Sequence, residues 1–249
     1  MSFERSIGPS AEPAPTPGLV GTDVAGAGGV SAAMRLQILS TEHWSLLASR
    51  SLAWNESFSR AGMFLSTLSG AIVALALVAQ ASDFGEGFRL FGLVILPVVL
   101  LVGIGTVLRM GISNNHDALC VVGMNRIRAG YLELAPDLDR FFVMGTTDDE
   151  RGVNLTMAMQ ARTSMLVHML ASTPLLVTVL NAILFGAIVA LLVLQLGAGT
   201  TPALLLGTVG FVATLGAFMW YAGRDIARAM AEYHPKFPAP EPAEPADDA

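Results

Sequence analysis

Residues 169–194 read MLASTPLLVTVLNAILFGAIVALLVL, a run without a single Lys, Arg, Asp or Glu. About 20 helical residues cross the ~30 Å of bilayer hydrocarbon, and a helix satisfies its own backbone hydrogen bonds there. Three further runs share this character: residues 61–79 (AGMFLSTLSGAIVALALVA), 90–108 (LFGLVILPVVLLVGIGTVL) and 203–222 (ALLLGTVGFVATLGAFMWYA). Core helices of soluble domains rarely run so far without a charge. The expected fold class is therefore an all-α integral membrane protein, with four transmembrane helices in two pairs and helical cytoplasmic extensions.

Composition points the same way. The chain is 53% hydrophobic and 14% charged, against the ~25% charged residues of soluble domains. Asp and Glu number 20 against 14 Lys and Arg, so nucleic acid has no electrostatic footing as a partner. The lone cysteine, Cys120, excludes an intramolecular disulfide and a cysteine metal cluster. Residues 1–30 lack the apolar core of a secretory signal.

Arginines set the expected orientation. Gln80–Arg89 carries one basic residue and Gln195–Pro202 none. The others precede residue 61 (Arg5, Arg35, Arg50, Arg60), lie between the second and third runs (Arg109, Arg126, Arg128, Arg140, Arg151, Arg162), or follow the fourth (Arg224, Arg228, Lys236). Lys and Arg accumulate on cytoplasmic flanks. Both termini and the 110–165 insertion are thus expected to face the cytoplasm, in a bacterial-type plasma membrane. Trp220 and Tyr221 at one end, and Phe84, Phe88 and Phe91 at the other, fall where interfacial aromatic rings are favoured.

Three organisational units follow. Residues 1–39 form an N-terminal tail, rich in Pro, Gly, Ala and Ser over 1–30, and expected to be disordered. Residues 40–234 form the four-helix transmembrane bundle with its insertion, and 235–249 an acidic, Pro-rich tail also expected to be disordered. Leu47, Trp54, Phe58, Ala61 and Leu65 recur at helical spacing. Opposite them stand Glu42, Ser45, Ser49, Glu56 and Arg60, with Glu56 and Arg60 spaced for an i,i+4 ion pair. The first span is thus expected to extend inward as an amphipathic helix. Cys120, Met124, Ile127, Tyr131 and Leu134 make a similar stripe, closed by Pro136, with a kink expected at Ser113-Asn114-Asn115. Thr147-Asp148-Asp149-Glu150 matches a capping box with Thr147 as the cap, starting a helix that Leu155, Met159, Leu166 and Met169 carry into the third span.

Two rows of small residues recur every fourth position: Gly62, Ser66, Gly70 and Ala74 in the first span, and Thr178, Ala182, Gly186 and Ala190 in the third. Such rows let two helix backbones approach closely in lipid. The spacing fits packing within one chain or between chains.

The candidates for chemistry each have a plainer reading. Asp148, Asp149 and Glu150, with Asp137 and Asp139 nearby, offer oxygen ligands for a divalent cation, but acids in a first helical turn also cap it and favour its positive dipole end. The histidines fall at different depths, and no Glu-x-x-His pair of the di-iron type occurs. Asn181, with Thr178 and Pro174, would line a hydrated path or, more simply, hydrogen-bond a neighbouring helix. No nucleophile, zinc-protease or phosphate-loop motif is present. No catalytic group, cofactor or metal is expected.

The layout of two spans, helical insertion and two spans resembles that of bestrophin-type anion channels and of the proton-channel subunits of flagellar motors. The resemblance implies an oligomeric channel as the alternative function. The leading expectation is a non-enzymatic multi-pass protein whose partners are membrane lipid and either further copies of itself or a cytoplasmic protein.

Overall fold

A computed structural model of the chain describes residues 30–157 and 172–239. It is all-helical, with no strand among the described residues. Helix α1 spans Ala32–Ser82 and α2 Glu86–Leu134. A 3₁₀ turn at Pro136–Phe141 and the short helix α3 at Glu150–Thr156 follow. Helix α4 covers Thr173–Gln195 and α5 Thr200–Glu232. Helices α1, α2, α4 and α5 are each long and apolar enough to cross a membrane.

The two longest helices are also far longer than a bilayer is thick. At ~1.5 Å per residue α1 extends about 75 Å, more than twice the ~30 Å of hydrocarbon. It begins earlier than the composition of residues 1–39 suggests, because Ser31 caps it by accepting a hydrogen bond from Met34 N (3.3 Å). Its first turns are then held by packing: Leu39 lies against Gly130 of α2. Asp83 and Phe84, both at positive φ (44° and 57°), reverse the chain, and α2 runs back along α1. Residues 113–115 do not interrupt α2, which stays helical through them; the Ser113 hydroxyl donates instead to Ala53 O (3.0 Å).

Packing follows chain order. α1 lies along α2, α2 against α4, and α4 against α5, an open row with α1 and α5 at its ends. The shared core holds Ala61, Phe64, Leu68 and Ala71 of α1, Leu96, Val99 and Met110 of α2, and Val177, Leu184 and Ile188 of α4. Four glycines of α2 act as sockets. Gly92 receives Leu75 and Leu191, Gly103 receives Phe64 and Asn181, Gly123 receives Leu46, and Gly130 receives Leu39.

Three local expectations change. The face of α1 that meets α2 carries Leu39, Leu46, Ala53, Phe64, Leu68 and Ala71. Of the stripe Leu47, Trp54, Phe58, Ala61 and Leu65, only Ala61 is buried; the other four are 39–55% exposed. Helix α3 starts at Glu150, not Thr147. Its cap is Asp149, whose carboxylate accepts from Gly152 N (2.9 Å) and from the Thr147 hydroxyl (2.8 Å). A carboxylate is the stronger acceptor for the orphan N–H groups of a first turn, and Thr147 O is engaged by Asn125 Nδ2 (2.8 Å). Finally, α4 starts at Thr173 with Ser172 as cap and Pro174 in its first turn. A missing N–H costs nothing there, so Pro174 frees no carbonyl inside the helix. The expected continuation of α3 through Met159 and Leu166 lies outside the described residues.

Candidate functional site

The two small-residue rows have opposite fates. On α4, Thr178, Ala182 and Gly186 are buried and Ala190 half-buried. Gly186 crosses Gly207 of α5 so closely that a Cβ on Gly186 would stand 2.7 Å from Gly207 O, and one on Gly207 would stand 2.9 Å from Gly186 O. On α1, Gly62, Ser66 and Gly70 are exposed and Ala74 half-buried. A Cβ at Gly62 or Gly70 would meet nothing within 4 Å. At 100° per residue these positions point away from the Phe64–Leu68–Ala71 face that packs on α2.

In the half of α1 that precedes Gly62, Trp44, Leu47, Trp54 and Phe58 are also exposed, the first of them 70%. The only charged residues between Trp44 and Val73 are Arg50, Glu56 and Arg60, and all three are in ion pairs. Arg50 Nε donates to Asp117 (2.6 Å), which also accepts from Trp54 Nε1 (3.0 Å). Glu56 accepts from Arg60 Nε (3.0 Å) and from two nitrogens of Arg109 (2.8 and 2.9 Å). Hydrogen bonds from Arg109 first, then Arg60, hold the Glu56 carboxyl at a pKa of about 2. Arg50 and Glu56 thus tie α1 to α2, while Trp44, Leu47 and Phe58 are left exposed.

Asn181 sits at the centre of the α4 run, fully buried. Its amide fills the Gly103 socket beside the Phe64 ring. Neither Nδ2 nor Oδ1 has a hydrogen-bond partner among the described residues. Helices α2 and α4 are antiparallel in register here, with Gly103 by Asn181 and Gly92 by Leu191, which sets Thr106 and Thr178 one turn away at a common depth. Both hydroxyls donate within their own helices, to Val102 O and Pro174 O (2.8 Å each), so they do not relieve the amide. No interhelical hydrogen bond of Asn181 is therefore present among the described residues.

The acidic cluster resolves into separate tasks. Asp148 is fully buried and is saturated by donors. Its carboxylate accepts from Arg126 Nε (2.7 Å), the Tyr233 hydroxyl (3.0 Å), Lys236 N (2.9 Å) and Phe237 N (2.8 Å). Burial pushes its pKa upward, but the bonds from Lys236, Arg126, Phe237 and Tyr233 outweigh burial and bring it to about 2. Asp149 caps α3 and accepts from Ala239 N (3.0 Å). Asp137 and Asp139 lie on the 3₁₀ turn. Residues 235–239 are therefore docked on the body and not a free tail. The signal for this lay in Tyr233 and Phe237, two aromatics in an otherwise Pro- and Ala-rich end.

A depressed carboxylate pKa stabilises the fold above its unfolded value, and that stability is lost as pH falls through the folded value. Asp148 is expected to hold the docked segment fully above about pH 4 and to lose it between about pH 4 and 2. Hydrogen exchange at the Lys236 and Phe237 amides checks this: exchange should accelerate over that window in the native sequence and be fast throughout in Asp148→Asn.

Among the described residues no group of three His, Cys, Asp or Glu is placed to hold a metal ion. The chain matches no family model, no curated protein and no solved structure.

Proposed function

We propose that this chain is a non-enzymatic, multi-pass protein of a bacterial-type plasma membrane that self-associates through the outward side of α1. The carrying observation is the exposed apolar surface of α1 between Trp44 and Val73, left uncovered by the described residues. Its unpaired surface has no charge, and its only charged residues are paired. Lipid would cover the part from Gly62 onward, where the row Gly62, Ser66, Gly70 and Ala74 admits a second helix at close range. Lipid would not cover Trp44, Leu47, Trp54 and Phe58 if that half of α1 projects into water, where exposed apolar patches of this kind mark interaction sites. A second copy offers a matching face of the same length on both sides of that boundary, and a two-fold contact is self-complementary by construction.

Orientation rests on the arginines: both termini and the polar tip are assigned to the cytoplasm. Reporter fusions at Ala135 and Asp247 are expected to read as cytoplasmic, and fusions at Asp83 and Gly199 as external. An external signal at Ala135 would invert the topology. Light scattering of the protein in mild detergent is expected to give a dimer or larger assembly, and a monomer at all concentrations would remove the self-association reading.

A second reading, an oligomeric ion or small-solute channel, is favoured by one observation, the unpaired Asn181 amide at mid-span. Ion flux in liposomes that changes with Asn181→Asp would select it. The packing of Phe64 and Gly103 around the amide favours the first reading.

A further inference from the structure

The polar tip holds the chain's own C-terminal segment in the manner of a bound peptide. Every residue of α5 from Tyr221 to Glu232 is exposed. Asn115 Nδ2 to Asp225 (3.2 Å) is the one side-chain hydrogen bond joining that stretch to the rest of the protein, among the described residues. The chain then crosses the tip without helical structure from Tyr233 to Ala239, and its main chain is read by the loop before α3. Lys236 N and Phe237 N donate to the Asp148 carboxylate, Ala239 N donates to Asp149, and Phe237 O accepts from Asp148 N (3.1 Å). Pro235 and Pro238 have no N–H to place. Phe237 also lines a cleft between α1 and α2 whose wall is apolar at Ile38, Leu39, Ile127 and Leu134 and charged at Arg35, Arg126 and Glu133.

We propose that this tip is a docking site for an extended peptide strand of pattern Tyr-x-x-x-Phe-Pro, occupied in cis by residues 233–239 and able to release them. Two observations separate a ligand from a fixed part of the fold. First, the receptor groups are built without the strand. Asn125 Nδ2 holds Thr147 O (2.8 Å), Asn125 Oδ1 accepts from the Thr156 hydroxyl (2.8 Å), and that hydroxyl accepts from Gly145 N (3.0 Å). Gly145 and Gly152 pack backbone to backbone. The loop that presents Asp148 is therefore anchored to α2 by bonds that do not involve the strand. Second, recognition uses the strand's main chain, one phenol and one aromatic ring, which is how extended peptides are bound elsewhere: backbone hydrogen bonds for affinity and pockets for specificity. The prolines lower the entropy lost on docking, since they restrict the free strand to extended conformations.

The chemistry recognised is an extended aromatic–proline strand, and its occupant is the chain's own residues 233–239. Lys236 is the only lysine in the sequence, so a lysine-specific protease has one bond to cut, Lys236–Phe237, and cuts it when the strand is off the site. Cleavage of the full chain is expected to be slow and unaffected by dilution. Asp148→Asn and, separately, Asp149→Asn should raise the rate about tenfold or more, through loss of charge-assisted hydrogen bonds, with helical content unchanged by circular dichroism. Equal rates in the native chain and both variants would overturn the latch. A rate that rises on dilution would overturn cis occupancy and assign the strand to a second copy. A fluorescein-labelled peptide of residues 232–242 should then bind the full chain carrying Tyr233→Phe and Phe237→Ala, whose own strand is weakened. It should not bind when Asp148→Asn is added. Failure of the peptide to bind the strand-weakened chain would overturn the docking site.

Discussion

Gly186→Leu is expected to unseat α5 from α4, whereas Gly70→Leu leaves the fold of the single chain intact and abolishes its self-association. The two glycines belong to rows of identical spacing, so the contrast isolates what surrounds them. A Cβ on Gly186 would stand 2.7 Å from Gly207 O and 3.2 Å from Phe211 Cβ. The nearer atom is backbone, which no rotamer change can move aside. Overpacking costs ~1–3 kcal/mol when a core yields, and a leucine here forces two helices apart along their length, so the loss should reach or exceed the upper figure. At Gly70 nothing lies within 4 Å, and leucine is a better helix former than glycine. The single chain should therefore be unchanged or slightly more stable. Its outward face, however, would carry a branched side chain where the proposed second α1 must approach. Thermal unfolding in detergent separates the fold effect, and light scattering the assembly effect. If Gly70→Leu leaves an assembled species intact, the row on α1 faces lipid alone.

The membrane-length helices were legible because their signal is local and dense: an uncharged run of this length has few other fates. The polar extensions were legible for the same reason. Cys120, Met124 and Ile127 recur at helical spacing, and all three are buried. Which side of α1 faces α2 was not legible. Two periodic patterns coexist on that helix, Leu39–Leu46–Ala53 and Leu47–Trp54–Phe58, and periodicity cannot say which one packs on α2. The deciding groups, Asp117 and Arg109, lie more than fifty residues away on α2. The cap at α3 was misread for a different reason. Thr147 satisfies the spacing of a capping box, but Asp149, two residues on, is the stronger acceptor and displaces it by the same chemistry. Residues 235–239 looked unable to bury enough surface to order themselves, and by themselves they cannot. Their order comes from Asp148, more than eighty residues upstream, through hydrogen bonds that composition does not reveal. The sockets at Gly92, Gly103, Gly123 and Gly130 stand 11, 20 and 7 residues apart on α2, too far apart to read as a row of small residues at every fourth position.

Gly103→Ala is expected to destabilise the chain in the native sequence and to be tolerated once Asn181 is alanine. The Gly103 socket holds both the Asn181 amide and the Phe64 ring edge, and a Cβ would stand 2.7 Å from Phe64 Cε2 and overlap the Asn181 side chain. The expected cost is ~1–3 kcal/mol of overpacking, partly offset by the ~0.8–1.0 kcal/mol that alanine gains over glycine in a helix. With Asn181→Ala the amide is gone, the ring edge can move into the vacated space, and the helical gain should dominate. The coupling between the two substitutions is expected within the ~0.5–3 kcal/mol typical of contacting pairs. Asn181→Leu gives the complementary test. An amide buried without partners costs ~1–3 kcal/mol, so an apolar side chain of similar shape should raise the unfolding temperature. A fall in stability with Asn181→Leu would mean that the amide does find a partner in the working protein, supplied by water or by a second chain. The dry, self-contained packing of α1, α2 and α4 would then be the wrong picture of this site, and the channel reading would gain its first energetic support.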